Sequence, residues 1–287
     1  MMKWNLIGAV RRQRPLIHCI TNYVTACNVA NMILAAGASP VMADNAGEAA
    51  EVEEISQGLM LNLGTLREGA AESMLLAGHV AARLGHPVIL DPVGVGSSRL
   101  RRETAARILE EIPCTAIRGN ASEIRALAGE MAYARGVDVD GRDAMKGNNR
   151  EDTAAMLQRF SGKTGAVVIM TGEKDLIVDG QQVCLVNNGH PAMARITGSG
   201  CMLDGILTSF EAVQMDQKPR IGAECRPGAS RFWKAVYAVL AAGICGELAG
   251  EKAERYGCGT GSFQMYFLDA MSLLTDEEIE RRADIEF

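Results

Sequence analysis

Four absences narrow the reading before any motif is considered. The eight cysteines, at 19, 27, 114, 184, 201, 225, 245 and 258, include no C-x-x-C pair. Most lie in apolar runs or beside glycine, the usage of reduced thiols and not of a disulfide framework or zinc site. No run of 18 apolar residues occurs, so the sequence offers no membrane-spanning helix. Basic residues are not in excess: 29 Lys and Arg face 35 Asp and Glu, for a net charge of −6. Neither nucleic acid nor an anionic membrane is then an expected partner, and an anionic substrate must be held by local groups such as helix N-termini, arginine or metal. The opening stretch MMKWNLIGAVRRQR lacks an A-x-A cleavage pattern and reads as an amphipathic first helix, not a signal peptide. These readings lead to the expectation of a cytoplasmic protein.

Several familiar signatures are also missing. Gly162-Lys163-Thr164 imitates the end of a Walker A loop, but Leu157 stands where that loop needs glycine. Asp138-Val139-Asp140-Gly141 lacks calcium-loop spacing. Neither Gly94-Val95-Gly96 nor Gly198-Ser199-Gly200 carries the third glycine of a dinucleotide fingerprint.

What is present is an ordinary globular composition, 48% hydrophobic and 22% charged over 287 residues, enough for a full core. Near-continuous apolar runs at 15–20, 39–43, 59–63, 86–92, 114–120 and 166–172 read as parallel strands buried on both faces. Helical stretches alternate with them, such as 25–36 and 67–84, each followed by a glycine suited to a helix C-terminus. Asp179-Gly180 between β-rich segments signals a hairpin. Helices follow at 200–214, 230–250 and 261–274, while 136–152 and 214–230 read as polar surface loops. The order predicts one α/β domain spanning 1–287, a doubly wound, mostly parallel sheet flanked by helices with a helical C-terminal part.

Four segments carry chemistry. ITGSGCMLDGILTSF (196–210) opens glycine-rich into a helix, so backbone N–H groups converge at the positive helix end. Cys201 sits where that field favours a thiolate, although a glycine turn capping a core helix fits the spacing equally. In LDPVGVGS (90–97), Asp91 ends a buried strand facing the ligand crevice, where it could hold hydrated Mg²⁺ or merely serve a turn. AIRGNASEI (116–124) brings Arg118, a planar donor fork, and Glu123, either a second carboxylate near metal or a first-turn helix residue. Thr171 ends a strand in IMTGEKD (169–175), placed to bond a nucleotide phosphate. Met32, Met60, Met74 and Met170 read as core fillers, His18 and His190 as structural, and His79 and His86 as surface residues bordering a helix.

ITNYV (20–24), SPVMAD (39–44), LNLGT (61–65), LDPVG (90–94), IRGNASEI (117–124), TGEKD (171–175), NGHP (188–191) and TGSGCM (197–202) together resemble the hydroxyethylthiazole kinases, ribokinase-like enzymes. GTGSFQ (259–264) is similar to that family's GPGSFQ; the longer, more polar 136–152 and the GCGT turn at 257–260 depart from its pattern. The resemblance implies ATP-dependent phosphorylation of the thiazole alcohol of thiamine biosynthesis or salvage, in a homotrimer with active sites between subunits. It implies a thiazole pocket near Met42, Gly198 and Asn22, and ATP near Arg118, Thr171, Asn120 and Gly200. Mg²⁺ is then expected at Asp91 and Glu123, with Cys201 as the catalytic group where relatives of the wider fold use aspartate. That cysteine argues against the rivals of similar fold, a hydroxymethylpyrimidine kinase or a nicotinamide-hydrate dehydratase. The intact Asp91 and glycine turn argue against a catalytically silent nucleotide sensor.

Overall fold

A computed structural model describes residues 5–129, 150–214 and 229–287. Its frame is a nine-stranded sheet whose strand order, numbered along the chain, is 2-1-3-4-5-6-7-8-9. The strands are β1 Leu16–Ile20, β2 Ser39–Met42, β3 Gly58–Asn62, β4 Val88–Asp91, β5 Ala116–Asn120, β6 Val167–Thr171, β7 Asp175–Asp179, β8 Gln182–Val186 and β9 Ile285–Glu286. Pairings from β2 through β6 are parallel, and β7, β8 and β9 close the sheet antiparallel.

Side chains alternate across a strand, and here both faces are apolar. Met60, Ile89, Val167 and Ile169 face one core, while Leu59, Leu61, Val88, Leu90 and Val168 face the other. Helices α1 Leu6–Gln13, α2 Ala26–Ala36, α8 Ser199–Glu211, α9 Ala229–Arg255 and α10 Thr260–Leu273 contribute to the first core. Helices α3 Ala49–Ile55, α4 Ala70–Leu84, α5 Arg99–Glu111, α6 Ala121–Ala128 and α7 Arg150–Thr164 cover the second face. A last helix, α11 Asp276–Arg282, leads into β9. The apolar part of α9 is long enough to cross a membrane, yet 89% of it is buried inside the fold. Its hydrophobicity serves the core.

The expected strands all form, and the glycines end their helices as expected: Gly37 and Gly85 follow α2 and α4 with left-handed φ of 101° and 73°. Four details differ. Helix α4 starts at Ala70 and not at 67, because Gly69 takes φ 81° immediately before it. The hairpin loop is Gly180-Gln181, since Asp179 still pairs with Gln182. Residues 150–152, expected in a loop, form the acidic first turn of α7, and 229–230 begin α9; the rest of the two expected loops, 136–149 and 215–228, lies outside the described residues. His86 is not a surface residue: its Nδ1 lies 2.8 Å from Glu53, which also meets the fully buried His18 at 3.1 Å. His79 lies inside α4, exposed, 3.2 Å from Glu111. The four core methionines are all buried.

Strand β1 pairs with β2 on one side and β3 on the other, so the strand order reverses there. In open α/β sheets that reversal leaves a crevice at the C-terminal strand ends, which is where ligands bind.

Candidate active site

The crevice is floored by polar residues that follow the apolar strands. Asn22 lies just beyond β1, Asn62 ends β3, Asp91 ends β4, and Arg118 rises from within β5. Asn22, Asn62, Asp91 and Arg118 are each at most 6% exposed. Helix α8 closes the floor by aiming its N-terminus at these strand ends, with Cys201 in its first turn and Asp204 one turn further.

Burial at this depth obliges each polar group to find a partner, and they find one another. Asn62 Nδ2 donates to Asp91 Oδ2 at 2.6 Å and lies 3.3 Å from Cys201 Sγ. Asn22 Nδ2 donates to Asn62 Oδ1 at 3.0 Å and lies 3.6 Å from the same sulfur. Two amide donors thus converge on Sγ, which itself sits 3.8 Å from Asp91 Oδ2. Arg118 donates from Nη2 to Asp91 at 2.6 Å, and from Nε and Nη2 to Asp204 at 2.7 and 2.5 Å. Of its three nitrogens only Nη1 lacks an acceptor among the described residues.

Electrostatics at this floor are dominated by burial. Burial pushes the Asp91 carboxyl well above its usual range, with Arg118 pulling against it and Asp204 reinforcing it. For Arg118, burial disfavours the charge, but Asp204 and Asp91 outweigh it and keep the guanidinium protonated. Asp91 Oδ1 is buried with no partner among the described residues, as are the hydroxyls of Thr21, Thr25 and Thr65 in the segments around it. Thr65 also holds a left-handed φ of 45°, a strained conformation for a β-branched residue and typical of ligand-contacting turns.

The glycines of TGSGCM have separate reasons to be glycine. Gly198 takes φ 81°, and a Cβ there would sit 2.6 Å from the Thr25 methyl. A Cβ on Gly200 would lie 2.5 Å from Arg118 Nη1. The helix end therefore stays open, with N–H groups and Nη1 facing the same space, an arrangement able to receive an anion.

The remaining expected residues divide. Glu123 serves the helix: its Oε2 accepts the Asn120 N–H at 2.8 Å while Asn120 Oδ1 accepts the Glu123 N–H at 2.9 Å, a reciprocal capping box on α6. Its Oε1 accepts the Gly94 N–H at 2.8 Å, so it also fixes the turn after Asp91. Burial raises its pKa, opposed by those two N–H groups. Thr171 stands opposite Asn120 in the β5–β6 register and donates to the Gly119 carbonyl at 3.3 Å. Met42 ends the edge strand β2, 41% exposed, outside this network. His190 is structural, capping a 3-10 turn and stacking on Phe263. Two members of the floor were not singled out from sequence: Asn62, the polar end of the LNLGT run, and Asp204, the lone carboxylate of the apolar CMLDGILTSF helix.

A sheet of this order with an open helix N-terminus over its carboxylate-bearing strand ends has the ribokinase-like fold. A ribokinase-like protein of Enterococcus faecalis superposes with TM-score 0.55 at 14% identity, covering 89% of this chain and 86% of that one. The hydroxyethylthiazole kinase family model matches residues 7–277, and the chain belongs to that family. The hydroxyethylthiazole kinase of Desulfovibrio desulfuricans is 43% identical over 98% of this chain and 96% of its own. The structure of hydroxyethylthiazole kinase from Pyrococcus horikoshii superposes with TM-score 0.79 at 29% identity, covering 98% and 96%.

Proposed function

We propose that the chain phosphorylates the primary alcohol of 4-methyl-5-(2-hydroxyethyl)thiazole from ATP, in thiamine biosynthesis or salvage, from the cytoplasm and as one catalytic unit over 1–287. The observation that carries this reading is the open N-terminus of α8, which places Cys201 Sγ and the Gly198–Gly200 N–H groups over one polar floor at the strand-order reversal.

Transfer forms a bond from the alcohol oxygen to the γ-phosphorus and breaks the bond to the bridging oxygen of ADP. The transition state is loose, so the protein acts mainly by positioning and by neutralising charge. The α8 N–H groups and Arg118 Nη1 face the oxygens that gain charge. Cys201 Sγ takes or orients the alcohol proton, and the Asn22 and Asn62 amides hold the sulfur in place by donating to it. Asn120 and Thr171, paired across β5 and β6, lie where a nucleotide reaches the same edge.

Mg²⁺ fits the floor: Asp91 Oδ1 is a buried acceptor without a partner among the described residues, the donor type this hard cation takes through its water shell. Asp91 would hold it. Glu123, with each oxygen already accepting an N–H, would support it through the Gly94 turn or a water. When bound, the cation would supply positive charge to offset the negative charge of the phosphates.

The mouth of the crevice is apolar and open. Tyr23 and Val24 beyond β1 are 70% and 55% exposed, and Met42 ends the edge strand beside them. A flat, weakly polar thiazole suits such a surface once a second copy covers it, and this supports a homotrimer with shared sites. The test is coupled ADP release with thiazole alcohol against pyrimidine alcohol, together with light scattering. Faster turnover of the pyrimidine, or full activity in a monomer, overturns the respective part.

A further inference from the structure

We propose that Asp204 is a positioning residue of this site, holding Arg118 so that Nη1 faces the first turn of α8 and Asp91 keeps one oxygen free. The proposal rests on the kinase reading and deepens it. Asp204 is fully buried in α8, and its two carboxylate oxygens accept from Arg118 Nε and Nη2. It grips the guanidinium side-on, through Nε and Nη2, which fixes the plane of the group. With that plane fixed, Nη1 has one direction left, toward Gly200, where an added Cβ would sit 2.5 Å from it.

The second consequence concerns Asp91. Arg118 reaches Asp91 through Nη2 and Oδ2 alone, at 2.6 Å, and Oδ1 stays without a partner among the described residues. Two carboxylates share one cation, and Asp204 holds the larger share. With Asp204 neutral, the guanidinium keeps one carboxylate in contact, Asp91, and rotates to take both of its oxygens. The oxygen suited to a hydrated cation is then occupied by the protein's own arginine. Asp204 therefore acts on the metal-nucleotide side of the site without touching the thiazole side, where Asn22, Cys201 and the apolar rim lie.

The test compares purified wild type, Asp204→Asn, Arg118→Lys and the double variant. A fluorescent ATP analogue is titrated at a series of Mg²⁺ concentrations without any alcohol, so that binding is read without turnover. Thiazole alcohol affinity comes from calorimetry and folding from thermal melts. The Asp204→Asn variant is expected to need about tenfold more Mg²⁺ for half-saturation, with thiazole affinity held within about twofold. In the Arg118→Lys background, which has no fork to position, Asp204→Asn is expected to add less than about twofold. A half-saturation unchanged by Asp204→Asn, an equal loss of thiazole affinity, or effects that multiply in the double variant would each overturn the proposal. Asp204→Glu keeps the charge but displaces the fork by one methylene; it gives the same split at smaller amplitude and serves where the neutral variant does not fold. A wild type that prefers another alcohol refutes the proposed substrate and leaves the Mg²⁺ titration to decide Asp204 on its own.

Discussion

Gly200→Ala places one methyl group into the site and sets two measurable effects against each other. Gly200 is the second residue of α8, and its backbone is ordinary helix, so alanine there gains up to about 1 kcal/mol of helix propensity. The new Cβ, however, would lie 2.5 Å from Arg118 Nη1, 3.0 Å from Nη2 and 3.1 Å from Cζ. Ordinary contact needs the guanidinium to retreat by about 1 Å. A surface arginine would simply swing away. Arg118 is held at 2.5–2.7 Å by Asp91 and Asp204, and stretching one such charge-assisted bond costs about 1.5–3 kcal/mol. The clash outweighs the propensity gain, leaving a net loss of about 0.5–2 kcal/mol, or a melting temperature lower by roughly 1–8 °C. Catalysis should fall further than stability, because a 1 Å misplacement of a group facing the transferred phosphoryl costs about 10²-fold. Coupled ADP release gives kcat and KM, and scanning calorimetry gives Tm. An alanine variant with native turnover and a raised Tm would refute the reasoning, since it would show that Arg118 is free to move.

Asp91→Ala should remain folded, because Arg118 keeps its two bonds to Asp204, while turnover falls by about 10²-fold or more and the Mg²⁺ requirement rises; a normal Mg²⁺ titration returns Asp91 to a turn role. Cys201→Ser should slow turnover yet bind nucleotide, and Cys201→Asp should stay active because the Asn22 and Asn62 amides serve a carboxylate as well as a sulfur; a folded but inactive Asp variant beside a fully active Ser variant refutes this. Glu211, at the far end of α8, is pushed by burial from 4.5 to about 8, with Lys234 pulling back. The fold then holds a proton that the unfolded chain releases, so this contribution is complete below about 4.5 and fades as pH rises toward 8. Glu211→Gln should flatten that decline in urea unfolding across the same window, and an unchanged slope would sink the assignment.

The strands were legible because the central ones are buried on both faces and read as unbroken apolar runs, with Leu59–Leu61 and Val88–Leu90 feeding two cores by alternation; β2, expected to be buried in the same way, is only half-buried because it ends the sheet. The boundaries that shifted have local causes. Arg150, Glu151 and Asp152 look like a polar loop, yet acidic residues favour a first helical turn by the dipole. The α11 helix has a cap in Thr275, which accepts the Glu278 N–H at 3.2 Å, but its T-x-x-E signal stands among charged residues without an apolar run behind it. β9 has only two residues, too few for any pattern. Within the site, Asp91, Arg118 and Cys201 were legible as strand-end and helix-end chemistry, and the structure brings them together. Asn62 and Asp204 were not, because their meaning lies in partners 29 and 86 residues away, which no local spacing encodes. Glu123 admitted two readings, and the capping box supplies the physical content of one without removing its hold on the Asp91 turn.

Why a thiol stands at 201 follows from the charges already fixed around it. Asp91 and Asp204 share the single guanidinium of Arg118, and burial already pushes Asp91 toward holding a proton. A third carboxylate 3.8 Å from Asp91 would add negative charge to a water-poor pocket that must also admit a polyanionic nucleotide. A thiol can orient the alcohol at this position without adding a standing charge. The two amides that face it, Asn22 and Asn62, fix the sulfur against the floor. Where an aspartate occupies this position in the variant, the same amides must offset a permanent charge. Its nucleotide requirement should therefore rise even while its chemistry persists, because the surplus negative charge stands against a polyanionic nucleotide.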